Sequence, residues 1–318
     1  MADYDYIFFD SVGWPYTGST PSRRGLGASE HQVILLAEQL AALGAKVLVL
    51  NNSLARAQVR GVEYLPRLLA GEGLDCECLI LCRYSPVPAV RWRRVVVWAT
   101  DIPGRAHDHQ QPLWSQNGVL VAVSQWHRGQ FPPHWPVRVI PNMLADSVYQ
   151  TAPVTHGHRF VYASAALKGL RATVAMWVRL RAQTQAELEL VVCSPGYDRL
   201  DLSLTGKNGI SFAGALPFHR LVEQIIDSNG LFYINTFPET FGVVASLCQA
   251  VGRTPWVLCL GPKAGLAETV QPELLFEDPE DFQRHFLQGL EQPPAALPPQ
   301  DFRVSSVLPL WLSLLSGQ

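Results

Sequence analysis

The 318-residue sequence is poor in charge, and it contains no block of five like charges. Charged residues make up 16% of the chain, and the formal net charge is −2. Binding along a nucleic acid requires clustered Lys and Arg, because many phosphates have to be neutralised. The sequence therefore predicts a small-molecule partner and no nucleic acid.

The sequence also lacks an apolar run of the ~20 residues that a transmembrane helix needs. Residues 1–5 include Asp3 and Asp5, where a signal peptide has basic residues. The apolar run at residues 307–312 is shorter and contains Pro309, which favours a helix that docks on the protein over a membrane anchor. We therefore expect no transmembrane segment and a cytoplasmic location.

Cysteine is sparse and has no metal-ligand spacing. The chain has six cysteines, none of them in a Cys-x-x-Cys pair. Cys76, Cys78 and Cys82 fall at even spacings, which indicates one face of a strand, and no histidine lies nearby. We predict buried thiols in a reducing compartment and no metal site.

The chain does contain many short, continuous apolar runs, which are typical of parallel strands buried on both faces. Its apolar share is 48%, and its length predicts two domains, at about 150 residues each. The apolar runs are residues 6–9, 46–50, 79–81, 94–98, 119–123 and 137–140 in the first half, and 160–162, 188–192, 231–234 and 256–260 in the second.

Helical patterns lie between these runs. Apolar positions from Val33 to Leu43 repeat at helical spacing. Ser29 and Gln32 are spaced as a capping box at the start of that helix, and Gly44 marks its end. Strand, loop, helix and strand therefore follow one another, as in a βαβ unit.

A polar stretch at residues 150–159 separates two such alternations. This organisation predicts an α/β fold of two Rossmann-like, doubly wound domains, residues 1–150 and 151–300. Residues 301–318 are expected to pack back onto the first domain. Ligands of such sheets bind beyond the carboxyl ends of the strands, so we expect the active site in the cleft between the domains.

The strongest motif surrounds Glu239. Residues 237–244 read Phe-Pro-Glu-Thr-Phe-Gly-Val-Val, and residues 248–252 read Cys-Gln-Ala-Val-Gly. A carboxylate just before a helix can bind a sugar hydroxyl while the free amides of the helix start bind a diphosphate. The alternative is that Glu239 only complements the helix dipole. The candidate diphosphate-binding positions are Thr240, Phe241, Gly242 and Val243.

Two other segments offer phosphate contacts. Residues 24–30 read Arg-Gly-Leu-Gly-Ala-Ser-Glu, and the amides near Gly27 and Ala28 can approach an anion at the start of the first helix. Lys168 precedes a glycine at a second helix start, where a cation is unfavourable unless an anion binds there. A solvated lysine is the alternative.

These segments resemble the family-4 retaining glycosyltransferases, which have the GT-B architecture. The block at Glu239 is similar to that family's Pro-Ser-x-x-Glu-x-Phe-Gly segment, residues 27–30 to its Gly-Gly-x-Glu segment, and residues 163–169 to its Arg-x-x-x-x-Lys-Gly segment. The resemblance implies a donor-binding second domain and an acceptor-binding first domain. It implies retaining transfer, without a cofactor, from a UDP- or GDP-sugar to a glycan or small-molecule acceptor. We expect no bound metal, because Lys168 and the helix amides could neutralise the leaving group.

The resemblance also implies roles for individual residues. Glu239 would orient the donor sugar, and Lys168 with the helix amides would bind the diphosphate. Leu216 lies in the segment that presents backbone groups to the nucleobase, residues 211–217. Asp101 would be a polar contact or base on the acceptor side, or else a turn residue before Ile-Pro.

Four positions depart from the family's pattern. Ala28 replaces the second glycine, Ala163 an arginine and Thr100 a histidine. Leu247 replaces the glutamate that binds the donor ribose, so either it is a core residue on an apolar stripe or ribose recognition is weakened or moved to Ser246. The changes at Ala163, Thr100 and Leu247 favour the alternative of a catalytically silent GT-B subunit that binds nucleotide, glycan or a partner protein. A nucleotide-sugar isomerase is the third hypothesis.

Overall fold

The computed structural model describes residues 2–71, 73–104, 110, 113, 117–150, 158–194, 206–292, 294 and 299–317. By its internal contacts the chain divides into two units. Unit 1 comprises Met1–Arg23, Gly27–Met143 and Val304–Gln318, and unit 2 comprises Arg24–Leu26 and Leu144–Arg303. Most of the predicted polar linker, residues 151–157, lies outside the described residues.

One sheet runs through unit 1. Its strands are β1 (Tyr4–Phe9), β2 (Val47–Asn51), β3 (Ala57–Val59), β4 (Val62–Pro66), β5 (Asp75–Cys82), β6 (Arg91–Trp98), β7 (Val119–Ala122) and β8 (Val137–Val139). They lie in the order β3-β4-β2-β1-β5-β6-β7-β8, and only β3 and β4 pair in antiparallel fashion. All six predicted apolar runs of this half fall in its parallel strands, whereas the edge hairpin of β3 and β4 was not predicted.

A second sheet runs through unit 2. Its strands are β9 (Arg159–Ala163), β10 (Glu189–Cys193), β11 (Ile210–Phe212), β12 (Gly230–Asn235), β13 (Thr254–Cys259) and β14 (Leu275–Phe276). They lie in the order β11-β10-β9-β12-β13-β14, and all neighbours are parallel. The carboxyl ends of β9, β11 and β12 therefore meet at one edge of the sheet, where the loops that follow them lie.

The α-helices within the described ranges are α1 (Ala28–Ala42), α2 (Gln125–Arg128), α3 (Leu170–Arg181), α4 (Phe218–Ile226), α5 (Val243–Ala250), α6 (Leu266–Thr269), α7 (Pro279–Glu291) and α8 (Val304–Ser316). None of the helices that the structure describes combines the length and the apolarity that a bilayer crossing requires. The strand–helix alternation of both units confirms the predicted α/β fold class.

The last helix, α8, belongs to unit 1. Its Trp311 is fully buried and meets the Trp98 ring edge-on at a centroid distance of 4.6 Å. The Arg94 guanidinium donates to the carbonyl oxygens of Leu315 at 2.7 Å and Leu314 at 2.9 Å. A cation at a helix carboxyl end complements the helix dipole, so this contact both caps and anchors α8.

The start of α1 differs from the prediction. Its N-cap is Gly27, and the predicted capping box is wrong. The Ser29 hydroxyl hydrogen-bonds to that of Thr100 at 2.9 Å, and the Gln32 amide both donates to and accepts from the backbone of Met143, at 2.8 and 2.7 Å. These side chains make tertiary contacts and do not bond to the free amides of the helix.

All six cysteines are free thiols in buried positions, which confirms the prediction of buried thiols. Burial raises the pKa of the Cys76 and Cys78 thiols to about 12. A thiolate is the nucleophilic and metal-binding form of cysteine, so these side chains act as apolar core residues.

Candidate functional site

The loop that carries Glu239 connects β12 to α5. Its last residue, Gly242, is the N-cap of α5 and has φ +94°, a conformation that favours glycine. A Cβ at this position would lie 2.5 Å from Leu266 Cδ2. The glycine therefore allows the loop to turn into α5 while it packs closely on α6.

Segments around α6 bind the carbonyl groups of this loop. The Gly265 amide donates to the Glu239 carbonyl at 2.8 Å, and the Thr269 hydroxyl donates to the Phe241 carbonyl at 2.6 Å. In α5, the Ser246 amide bonds to the Gly242 carbonyl at 3.1 Å. The amides before Ser246 have no acceptor within the helix, and such a group of N–H donors can bind an anion.

The Glu239 carboxylate is held at both oxygens. Lys168 Nζ lies 2.8 Å from Oε2, and the Tyr233 hydroxyl donates to Oε1 at 3.0 Å. The side chain of Glu239 is 12% exposed and that of Lys168 is 32% exposed. The acid is thus fixed at the sheet edge, with its cationic partner on the more exposed side.

A close backbone approach brings Lys168 to Glu239. Lys168 ends a short 3₁₀ turn after β9, and Gly169 follows with φ +131°. A Cβ on Gly169 would overlap the carbonyl oxygen of Ile234 in β12, and the Thr236 amide donates to the Lys168 carbonyl at 3.1 Å. Only glycine lets the turn reach this strand.

The predicted nucleobase segment follows β11. The Ala213 amide donates to the Val192 carbonyl at 2.9 Å, and the Ser194 amide donates to the Gly214 carbonyl at 3.1 Å. Leu216 is half-buried just before α4. The structure thus places Lys168, Leu216 and Glu239 in loops at one edge of the unit 2 sheet.

Three predicted positions lie in unit 1, where Gly27 and Ala28 begin α1 and Asp101 follows β6. The Asp101 backbone carbonyl lies 2.9 Å from His127 Nε2, and its side chain is half-buried. Both loops are at the carboxyl ends of strands in the unit 1 sheet. The roles proposed for these three residues stay predictions.

Sequence reasoning did not find a buried cluster of charges in unit 1. Arg83 Nη2 lies 3.2 Å from Asp10 Oδ2 and 2.7 Å from Glu30 Oε1, and the Tyr16 hydroxyl donates to Asp10 Oδ2 at 3.0 Å. Arg83 has φ +58°, which is uncommon for a residue with a side chain. The signal in the sequence was that Asp10 and Arg83 each directly follow a buried apolar run, at strands β1 and β5.

Two carboxylates share one guanidinium in this cluster. The pKa of Asp10 is raised to about 6, chiefly by burial; the Arg83 guanidinium opposes this shift, and the nearby Glu30 carboxylate adds to it. The acids in turn raise the pKa of Arg83. A buried trio with two acids and one base carries net negative charge when all three ionise, so a proton is retained to higher pH on Asp10.

The structure resolves the question left open for the ribose-binding position. Leu247 is 1% exposed on the inner face of α5, so it is a core residue. The Ser246 hydroxyl is buried as well and donates to the Gly242 carbonyl at 3.3 Å. Leu247 thus offers no polar group, and the Ser246 hydroxyl is buried with its proton bound to a backbone carbonyl. In the described part of the chain no three His, Cys, Asp or Glu side chains are grouped as metal ligands.

No protein-family model matches the sequence, and no curated protein matches it. Solved structures do match. AviGT4, a glycosyltransferase involved in avilamycin A biosynthesis, is 13% identical, with 99% of each chain covered and a TM-score of 0.64. WaaG, a glycosyltransferase involved in lipopolysaccharide biosynthesis, is 12% identical, with 98% of this chain and 100% of that chain covered and a TM-score of 0.68.

Anabaena HepE, solved in complex with UDP and glucose and with UDP-glucose, is also similar in structure. It is 14% identical, with 99% of this chain and 100% of that chain covered and a TM-score of 0.67. Structural similarity over whole chains at such low sequence identity shows a shared fold. The chain has the GT-B fold, as predicted from the motifs.

We predict that Leu247→Glu destabilises the protein by roughly 3 kcal/mol or more, because it buries an unpaired carboxylate. Leu247→Met, which nearly conserves volume, is the control and should cost less than about 1.5 kcal/mol. Denaturant unfolding of both variants measures the difference. A Glu variant as stable as the Met variant would contradict a core position.

We predict that titration of the Asp10 carboxyl lowers the free energy of unfolding as the pH rises from about 4 to about 6. The unfolded chain releases this proton near 3.8 and the folded chain near 6, so the unfolded state binds fewer protons in this window. The change amounts to roughly 3 kcal/mol. Asp10→Asn removes it, so the stability of the wild type relative to this variant should decline as the pH rises. A difference independent of pH would refute the assignment.

Proposed function

We propose that the chain is a glycosyltransferase that uses a nucleoside-diphosphate sugar as its donor. The observation that carries this proposal is the arrangement at the unit 2 sheet edge, where Glu239 and Lys168 meet beside the free amides of α5. A sugar diphosphate needs both an acceptor for its hydroxyls and positive charge for its phosphates. The bound UDP and UDP-glucose of the similarly folded HepE support a nucleotide-sugar ligand.

In this proposal the donor separates the ion pair between Lys168 and Glu239. Lys168 turns from the Glu239 carboxylate to the diphosphate. The diphosphate also accepts from the amides of Thr240, Phe241, Gly242 and Val243. Glu239 then accepts from a hydroxyl of the donor sugar. Each charged group exchanges one partner of opposite polarity for another, so neither is left unpaired in the occupied site.

The reaction breaks the bond between the anomeric carbon and the diphosphate oxygen. The oxygen of an acceptor hydroxyl forms a new bond to the same carbon, and its proton passes to the leaving diphosphate. Lys168 and the helix amides offset the charge that develops on the leaving diphosphate, which is the support for a metal-independent reaction. Retention rests on the resemblance to the family-4 enzymes. Gly27 and Ala28 are proposed as further diphosphate contacts, Leu216 as a nucleobase neighbour and Asp101 as the polar group on the acceptor side.

A thermal-shift panel tests this function. UDP, GDP, ADP and their sugars are added in turn, because a ligand that binds only the folded state raises the melting temperature by mass action. We expect one nucleotide and its sugar to stabilise the protein. The absence of any shift would overturn the proposal, and binding without donor hydrolysis or transfer would favour the silent subunit.

We predict that Glu239→Gln abolishes transfer and weakens binding of the nucleotide sugar, with little change in melting temperature, because the side chain belongs to the site and not to the core. Glu223→Gln is the control, since Glu223 is an exposed acid of the same unit that pairs with Arg220. Calorimetric titration and activity assays measure both variants. Full activity in Glu239→Gln would disprove the role of this carboxylate.

We predict that Lys168→Ala weakens nucleoside-diphosphate binding about tenfold to hundredfold, while nucleoside binding changes little, because a charge-assisted bond is worth roughly 1.5–3 kcal/mol. Lys207→Ala, an exposed lysine of the same unit, is the control. Titration with UDP and with uridine, or with the corresponding guanine ligands, separates the effects. Equal losses for both ligands are incompatible with a phosphate contact.

A further inference from the structure

Tyr233 contacts Glu239 from inside unit 2. It lies in β12 and is 5% exposed, and its ring packs against that of Tyr162 at a centroid distance of 5.7 Å. Its hydroxyl oxygen lies 3.0 Å from Glu239 Oε1 and 3.1 Å from Asn235 Oδ1. Ser164 also hydrogen-bonds to this hydroxyl.

The hydroxyl has one proton and two neighbouring acceptors. Asn235 Oδ1 already accepts from the Phe237 amide at 3.1 Å, whereas Glu239 Oε1 is a carboxylate oxygen and the stronger acceptor. Burial raises the pKa of Tyr233 far above its usual value, and the Glu239 charge raises it further, so the phenol stays protonated. Tyr233 is therefore a permanent donor to Glu239.

The two partners of the Glu239 carboxylate differ in how firmly they are held. Lys168 reaches Oε2 with a flexible side chain that is partly exposed, whereas Tyr233 reaches Oε1 from a rigid, buried strand. The terminal torsion of a glutamate is broad, so a carboxylate with no fixed partner samples many orientations. Once Lys168 turns to a diphosphate, the hydrogen bond from Tyr233 still holds the carboxylate plane of Glu239 in its orientation.

We propose that Tyr233 is a positioning residue, which holds the Glu239 carboxylate towards the donor sugar when the diphosphate draws Lys168 away. This inference rests on the proposed function, because it requires a sugar diphosphate in the unit 2 site. It assigns to the phenol a role in sugar recognition without contact to the ligand. A preorganised acceptor saves the ordering cost that binding would otherwise carry.

Tyr233→Phe tests the proposal, because it removes the hydroxyl and keeps the ring. Tyr16→Phe is the control for deletion of a buried tyrosine hydroxyl, since the Tyr16 hydroxyl in unit 1 also donates to a carboxylate, that of Asp10, at 3.0 Å. Each variant is titrated with UDP-glucose and with UDP, or with GDP-mannose and GDP if the thermal-shift panel selects guanine. For Tyr233→Phe we expect about a fivefold to tenfold loss of affinity for the nucleotide sugar and less than a twofold change for the nucleotide. The control should change neither affinity.

A double variant adds a readout that a purely structural role would not give. In the Glu239→Gln background the sugar-specific affinity is already lost, so Tyr233→Phe should add nothing further. Equal losses for nucleotide and nucleotide sugar, additive losses in the double variant, or a melting temperature far below that of Tyr16→Phe would each overturn the positioning role.

The same titrations distinguish this inference from the proposed function. If Glu239→Gln loses sugar affinity and Tyr233→Phe does not, the positioning role alone is wrong. If the wild type binds no nucleotide sugar, or Glu239→Gln binds it as tightly as the wild type, the proposed function fails and the positioning role fails with it.

Discussion

The unit 2 site depends on the close approach of the Lys168–Gly169 turn to strand β12. A side chain at Gly169 would overlap the Ile234 carbonyl, so the approach requires a glycine in a left-handed conformation. The bond from the Thr236 amide to the Lys168 carbonyl fixes the turn there. The charge arrangement of the site depends on this contact, because it places the Lys168 cation beside the Glu239 carboxylate at a helix start. Without it, Glu239 would be an acid with a single hydrogen-bonding tyrosine beneath it.

In unit 1, a buried ion cluster together with a glycine shapes the loop between β1 and α1. Arg83 adopts a left-handed backbone conformation and joins Asp10, at the end of β1, to Glu30, in the first turn of α1. Gly13, with φ +90°, lies so close to Glu30 and Arg83 that a Cβ would clash with both. The loop between β1 and α1 is therefore shaped from beneath by an ion cluster, at the helix start where Gly27 and Ala28 lie.

The fold followed from the sequence because parallel strands covered on both faces are continuous apolar runs, as in β1, β2, β12 and β13. The hairpin of β3 and β4 was missed because an edge hairpin with exposed positions lacks such a run. The capping box at Ser29 matched a local pattern, but a long-range bond to Thr100 decided the conformation. The same limit applies to Asp10 with Arg83, since partners far apart in sequence are visible only after the strands are aligned. Lys168 and Glu239 were each predicted as site residues, whereas their direct contact was not predicted.

The departures from the family-4 pattern also take on a physical meaning. Leu247 is packed in the core, and Ala163 is buried at the end of β9, so neither position can offer a charged group to a nucleotide. In the proposed site, donor recognition would rest on the backbone amides of α5, on the Lys168 cation and on a firmly oriented Glu239. A site with fewer charged contacts depends more on the precision of those that remain, because a displaced acceptor has no second group to compensate for it. In the inferred arrangement the hydrogen bond from Tyr233 would supply that precision, because it fixes the orientation of the Glu239 carboxylate that accepts from the sugar.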